Sequence, residues 1–285
     1  MKNSVNKSIL ANCALLFTAM LWGGGFVAGK MSLTGAAPMA VLAWRFTTAA
    51  ILCLIIFRRR ILAASKDTAV KACGIGLLQI ASLSLQLTGL QYTTSAKQSF
   101  LCTAYVALVP FLSWAILGKR PKTTAFAAGI LALAGIGFIS LNGAGGINIG
   151  DVLSLCFSVG FGIQIVLVGK FVSADTDGIA LTFYQLLAGG LAAAAICMVT
   201  GTPLAVRGTE AMAGIAYLII GNTLLAFTLQ NIAQKYTKDS LAALLLSFES
   251  VFGFIFSVLY YHEVLSVRLI AGCAMCFAAV LLSVL

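Results

Sequence analysis

The sequence predicts an all-α membrane protein whose ten transmembrane helices form two inverted five-helix repeats. Three observations carry that expectation. Hydrophobic residues make up 61% of the chain and charged residues 9%, where a soluble domain carries roughly a quarter charged. Ten apolar segments, each long enough to cross hydrocarbon as a helix, follow one another with short links. Finally, the stretch from Ala226 to Phe252 has a partial earlier copy between Ser84 and Tyr105.

The segments lie at 9–30, 38–57, 70–90, 98–117, 124–141, 150–170, 178–199, 211–233, 240–260 and 266–284. Lys2 and Lys7 precede the first, which resembles a signal peptide, but its apolar run continues past Trp22 to Lys30. Pro38 follows the only small-residue cluster, so a retained first helix is expected. None of the segments alternates in polarity as barrel strands do. The mean hydropathy of +1.04 leaves the apolar surplus no place in water.

Charge placement sets the expected orientation. Of eighteen Lys and Arg, thirteen fall on the side that holds the N-terminus, including Arg58, Arg59, Arg60, Lys119, Arg120, Lys122, Lys170, Lys235 and Lys238. Four, Lys30, Lys97, Arg207 and Arg268, fall on the other side, and Arg45 lies within a span. The positive-inside rule then places both termini in the cytoplasm. The net charge of +10 sits in these links, without the aromatic-interleaved basic stripe that a nucleic-acid groove needs, so no nucleic-acid partner is expected.

The duplication sets the domain organisation. Shifted by 144 positions, Leu85, Gln86, Tyr92 and Thr93 fall on Leu229, Gln230, Tyr236 and Thr237. Nearby shifts align Phe17, Gly29 and Lys30 with Phe157, Gly169 and Lys170, and Leu101, Phe111 and Gly129 with Leu244, Phe254 and Gly272. Halves at 1–142 and 143–285, each of five spans, must run in opposite directions because five is odd. Inverted repeats place a solute site near the midplane between them.

Several residues could line such a site. Glu249 lies roughly 15 Å along its helix from Ser240, near mid-bilayer, where an ionised carboxylate is expensive. Two readings stand: a site for a cation, a proton or a solute ammonium, or a structural pair with Arg45. Arg45 likewise fits either structural pairing or a bidentate grip on a solute carboxylate. Gln79, Ser82 and Gln86 fall near one helical stripe, and Gln164, Asn222, Thr223, Gln230 and Asn231 supply similar chemistry. These amides suit a neutral or zwitterionic solute, or else hydrogen-bond between helices. Gln86 and Gln230 stand out because they occupy matching places in the two halves. Trp22, Tyr105, Phe161, Tyr184 and Phe227 could shape an apolar cavity or simply pack. Gly23, Gly24 and Gly25 beside Trp22 would let the first helix unwind or bend at the site.

Other classes find less support. Eight cysteines all lie in apolar segments, and Cys273 and Cys276 have neither a second pair nor a histidine beyond His262, so neither metal nor cofactor is expected. No phosphate-binding loop follows the glycines, and no HExxH or GxSxG pattern occurs, so an enzyme is not expected. A passive facilitator or channel-like permease of the same fold is the alternative to a carrier.

The first half carries LWGGGFVAGK (Leu21 to Lys30), WRF (Trp44 to Phe46) and VPFLSWAILGKRP (Val109 to Pro121) in order. GDVLSL (Gly150 to Leu155), LQNIAQKYT (Leu229 to Thr237) and SFESVFGFIFSVLYYHE (Ser247 to Glu263) follow in the second. This order of motifs resembles the EamA branch of the drug/metabolite transporter superfamily. Lys119 and His262 depart from the family's Leu-Gly-Glu endings, and Ser250 stands where a proline is common. The resemblance implies a secondary transporter in a bacterial cytoplasmic membrane, monomeric or homodimeric, with protons as a candidate coupling ion. It further implies export of a small metabolite, with an amino acid or related amphipathic solute as the leading class.

Overall fold

The computed structural model describes residues 2–140, 148–172, 176–262 and 266–284. The expected boundary between halves at 142/143, and Glu263, lie outside them. The described residues are almost entirely helical, with no strand among them. In the first half α1 spans Lys2–Ser32, α2 Pro38–Leu62, α3 Lys66–Gly89, α4 Ser95–Cys102, α5 Tyr105–Leu117 and α6 Thr123–Ser140. In the second half α7 spans Ile149–Phe171, α8 Gly178–Thr200, α9 Thr209–Tyr217, α10 Ala226–Ala233, α11 Asp239–Ser247, α12 Glu249–Tyr261 and α13 Val267–Val284. A π-helical segment, Leu218–Leu225, joins α9 to α10.

Among the described residues eight helical stretches are long and apolar enough to cross a membrane, and α4–α5, α9–α10 and α11–α12 each count as one. Within the described residues α6 and α13 hold shorter apolar runs, Thr123–Gly135 and Ile270–Ala279. Large apolar side chains such as Leu10, Ile130, Met198 and Val199 cover the outside of the bundle, as lipid contact requires.

Helix ends follow local chemistry. Ser65 and Thr94 cap α3 and α4 through their hydroxyls, and Asn148 and Asp151 form a reciprocal capping box on α7. Gly118 and Gly201 close α5 and α8 at φ 71° and 66°, in the left-handed region that favours glycine. Asp177 caps α8 and bonds Arg60 at 2.7 Å. Burial alone would raise its pKa, but the Arg60 hydrogen bond and the Ile179 and Ala180 amides hold it below the usual carboxylate range.

The two halves of the sequence do not form separate bodies. The principal contacts of α2 and α3 are with α8 and α7, and α1 packs on α12, α9 and α10. Small residues bring these backbones together. At Gly76 an added Cβ would meet the Gln185 carbonyl oxygen at 2.2 Å, and at Gly190 it would meet the Thr47 backbone nitrogen at 2.8 Å.

Two expectations need correction. The glycine triplet does not break α1, which runs continuously through it. Gly23, Gly24 and Gly25 instead let α1 press against Phe252, Tyr217 and Asn222, so close packing rather than flexibility explains them. The breaks lie in the spans expected at 98–117 and 240–260. The first is interrupted between α4 and α5, at Thr103 and Ala104, and the second between α11 and α12, at Phe248. Ser99, Thr103, Ser247 and Ser250 each donate a side-chain hydrogen bond to the carbonyl three residues back, which favours a tight turn over continued α-helix.

The glycine contacts make a paired prediction within α3. Gly76→Ala should destabilise the fold by about 1–3 kcal/mol through overpacking against α8. Gly74→Ala, where a Cβ meets nothing within 4 Å, should be neutral or stabilising by up to about 1 kcal/mol. Thermal unfolding of both variants in detergent checks the contrast.

Candidate solute cavity

A narrow cavity of about 30 Å³ lies where the two halves meet. Trp22 of α1 supplies one wall, Gln86 of α3 another, and Phe161 of α7 and Phe227 of α10 face them. The rings form a continuous apolar box. Trp22 lies 5.2 Å from Phe161 and 5.4 Å from Phe227 between centroids, and Tyr105 stands behind Phe161 at 5.1 Å. Edge-on and tilted geometries of this kind are favoured for aromatic pairs.

Two ionisable side chains enter this box from opposite halves. Arg45 of α2 is 4% exposed, and its guanidinium donates to Thr223 Oγ1 and Asn222 Oδ1, both in the π-helical segment. Asn222 is held in turn. Its Nδ2 donates to the Leu21 carbonyl at 3.1 Å, and its own carbonyl accepts from the Trp22 indole at 3.1 Å. The π-helical segment thus presents two acceptors to the arginine, and one of them, Asn222, is tied to α1.

Glu249, the first residue of α12, is also 4% exposed, and its Oε1 has no hydrogen-bond partner. The Tyr105 hydroxyl lies beside this carboxyl but is likewise without a partner at hydrogen-bond geometry. No ion pair joins Glu249 to Arg45 among the described residues. The structural pairing open in the sequence is therefore absent, although both residues line one cavity.

The other sequence candidates divide. Trp22, Gln86, Asn222 and Phe227 line the cavity together with Arg45 and Glu249. Gln79, Gln164 and Gln230 do not. Gln164 and Gln230 face each other across α7 and α10 at 3.4–3.5 Å, and Gln79 is buried on α3 with both amide atoms unpartnered. Tyr184 rests against Phe183, away from the cavity.

Sequence reasoning passed over Gln98 of α4, which lines the cavity and donates to the Gln86 carbonyl at 2.7 Å and Ser154 Oγ at 3.2 Å. Its signal was the amide one turn after the Thr94 cap, within the duplicated stretch. The neighbouring Lys97 closes the same end of the bundle through a 2.8 Å ion pair with Asp151, which is fully buried.

The family model described as EamA-like transporter family matches residues 9–141 and again 148–285. The chain belongs to the EamA-like transporter family. That family lies within the drug/metabolite transporter superfamily, so the chain is a membrane transporter by family. An Archaeoglobus fulgidus protein described as an uncharacterized transporter is 32% identical over 260 residues, covering 91% of this chain and 81% of its own length. A crystal structure 19% identical to the chain superposes with a TM-score of 0.71 over 95% of each, which establishes likeness of fold. Among the described residues no group of three or more His, Cys, Asp or Glu could hold a metal.

Chemically, the cavity joins an apolar aromatic box to one cation held by two hydrogen bonds and one carboxyl with an unsatisfied oxygen. Asn222→Ala should destabilise the protein by about 1–2 kcal/mol, since it removes an acceptor from a buried guanidinium and a bond to α1. Tyr105→Phe should leave stability unchanged or raise it by up to about 1 kcal/mol, because its buried hydroxyl has no bond to lose. Unfolding midpoints in detergent test both.

Proposed function

We propose that the chain is a secondary active carrier that exports a small amphipathic metabolite of the amino-acid class. In this reading ten spans form two inverted five-helix repeats, 1–142 and 143–285, that rock about the central cavity. The twofold family match supports the duplication. So do the two helix breaks: Tyr105 and Glu249 begin the second half-helix of their spans, and they sit at matching positions under the 144-residue shift. Concentration of Lys and Arg in the links at one end supports cytoplasmic termini in a bacterial inner membrane.

The observation that carries the reading is the unpartnered Glu249 carboxyl oxygen, buried in a cavity that both halves wall. A structural carboxyl in hydrocarbon is normally paired, so an open acceptor there suits a cargo or coupling group. Glu249 would meet a solute ammonium or carry a proton. Arg45 would meet the carboxylate through its fork, and the Trp22–Phe161–Phe227 box would take the apolar part. Gln86, Asn222 and Tyr105 would fix orientation, with Gln79, Gln164 and Gln230 lining the way to the cavity.

Counterflow in proteoliposomes preloaded with mixed metabolites tests this. Saturable exchange of one solute class is expected in the parent, and Glu249→Gln should weaken it roughly ten- to a hundred-fold, the worth of one charge-assisted hydrogen bond. Uptake that neither saturates nor exchanges would favour a channel-like permease. Full exchange by Glu249→Gln would remove Glu249 from the mechanism.

A further inference from the structure

Two helices run from the central cavity to the basic end of the bundle, the end that carries Lys119, Lys235 and Lys238. Along α10, Phe227 lines the cavity, Gln230 follows at i+3, and Gln234, in the 3₁₀ turn that follows α10, lines a second, open cavity among those lysines. This spacing keeps all three on one face. Along α7, Phe161 lines the central cavity, Gln164 follows at i+3, and Gly169 lines the same open cavity. Both walls thus change from aromatic to amide to the basic mouth at the same levels.

Between the two cavities stands the Gln164–Gln230 pair. Both amides are fully buried and bond each other reciprocally at 3.4 and 3.5 Å, the long limit of a hydrogen bond. Below it Gln234 donates to the Ile165 carbonyl at 3.3 Å and leaves its own Oε1 unpartnered. Beside it Asn231 donates to Gln185 Oε1 at 2.6 Å, while Asn231 Oδ1 and Gln185 Nε2 are unpartnered. A purely structural seam would satisfy these atoms, since unsatisfied amides are costly away from water. Weak mutual bonds beside open donors and acceptors suit groups that exchange partners.

We propose that the solute passes between the cavity and the basic end along the α7–α10 seam, with the Gln164–Gln230 pair as its gate and second hydrogen-bonding station. The pair parts to bond an uncharged donor or acceptor of the solute, or the water that accompanies it, and closes behind it. The inference rests on the transporter reading but not on active coupling, because a passive permease would use the same route.

Thiol accessibility tests the route without a known solute. Gln230→Cys and Gln164→Cys are made separately in the full chain and exposed, in vesicles presenting the basic end, to a charged, membrane-impermeant methanethiosulfonate. Peptide mass spectrometry then measures the rate at each cysteine. Native Cys53 is the internal reference: it is fully buried on α2, five residues from Arg58, as Gln230 is five from Lys235. Modification at position 230 or 164 at least about tenfold faster than at Cys53 is expected, because thiol reactivity follows access. Rates at both positions no faster than at Cys53 would overturn the route. Failure of counterflow with fast labelling would count against active transport and leave the route standing.

Discussion

Hydrocarbon gives a buried polar atom no water to fall back on, and this constraint governs the arrangement of the bundle. Arg45 shows it satisfied. Its guanidinium reaches two acceptors, and one of them, Asn222, is itself fastened to α1 through Leu21 and Trp22. The π-helical segment is the device that places these groups, and such local departures from α-geometry recur at functional sites. Glu249 shows the constraint left open, with a carboxyl oxygen that no protein group answers. One arginine held fast and one glutamate left free, in one cavity, form an asymmetric site. Nothing in simple packing calls for that asymmetry.

The same constraint explains how the backbone is bent without exposing it. The α4–α5 and α11–α12 turns keep their carbonyls occupied through Thr103 and Ser247, which bond back three residues. Tyr105 and Glu249 emerge just after these turns and so reach each other from opposite halves. Close helix approach then depends on glycine at a few contacts, such as Gly76 against Gln185 and Gly23 against Phe252. Small residues interlock these helices, whereas the α7–α10 seam is held by long hydrogen bonds.

Much of this was legible in the sequence because membrane spans announce themselves through length and apolarity. The membrane class followed from the apolar runs, the family from resemblance in the order of the motifs, and Glu249 and Arg45 drew attention as charges at depth within spans. The finer geometry was not legible. A glycine triplet reads equally as a hinge or as a packing notch, and only the proximity of Phe252 and Asn222 decides between them. The π-helical segment around Asn222 carries no composition signal that separates it from ordinary helix. Serines and threonines beside the two breaks were a usable sign, since back-bonding hydroxyls cluster there. Gln164 and Gln230 were recognised as polar residues in spans, but their meeting across α7 and α10 is a tertiary fact that spacing along one helix cannot give.

The central claim is that Glu249 stands uncompensated in a cavity that the solute enters. Reaction with a hydrophobic carbodiimide, located by mass spectrometry in the purified protein, tests it most directly. The account predicts modification at Glu249, slowed by whichever solute exchanges in proteoliposomes and unaffected by solutes that do not. Absence of modification at Glu249, or modification indifferent to every exchanging solute, would contradict it.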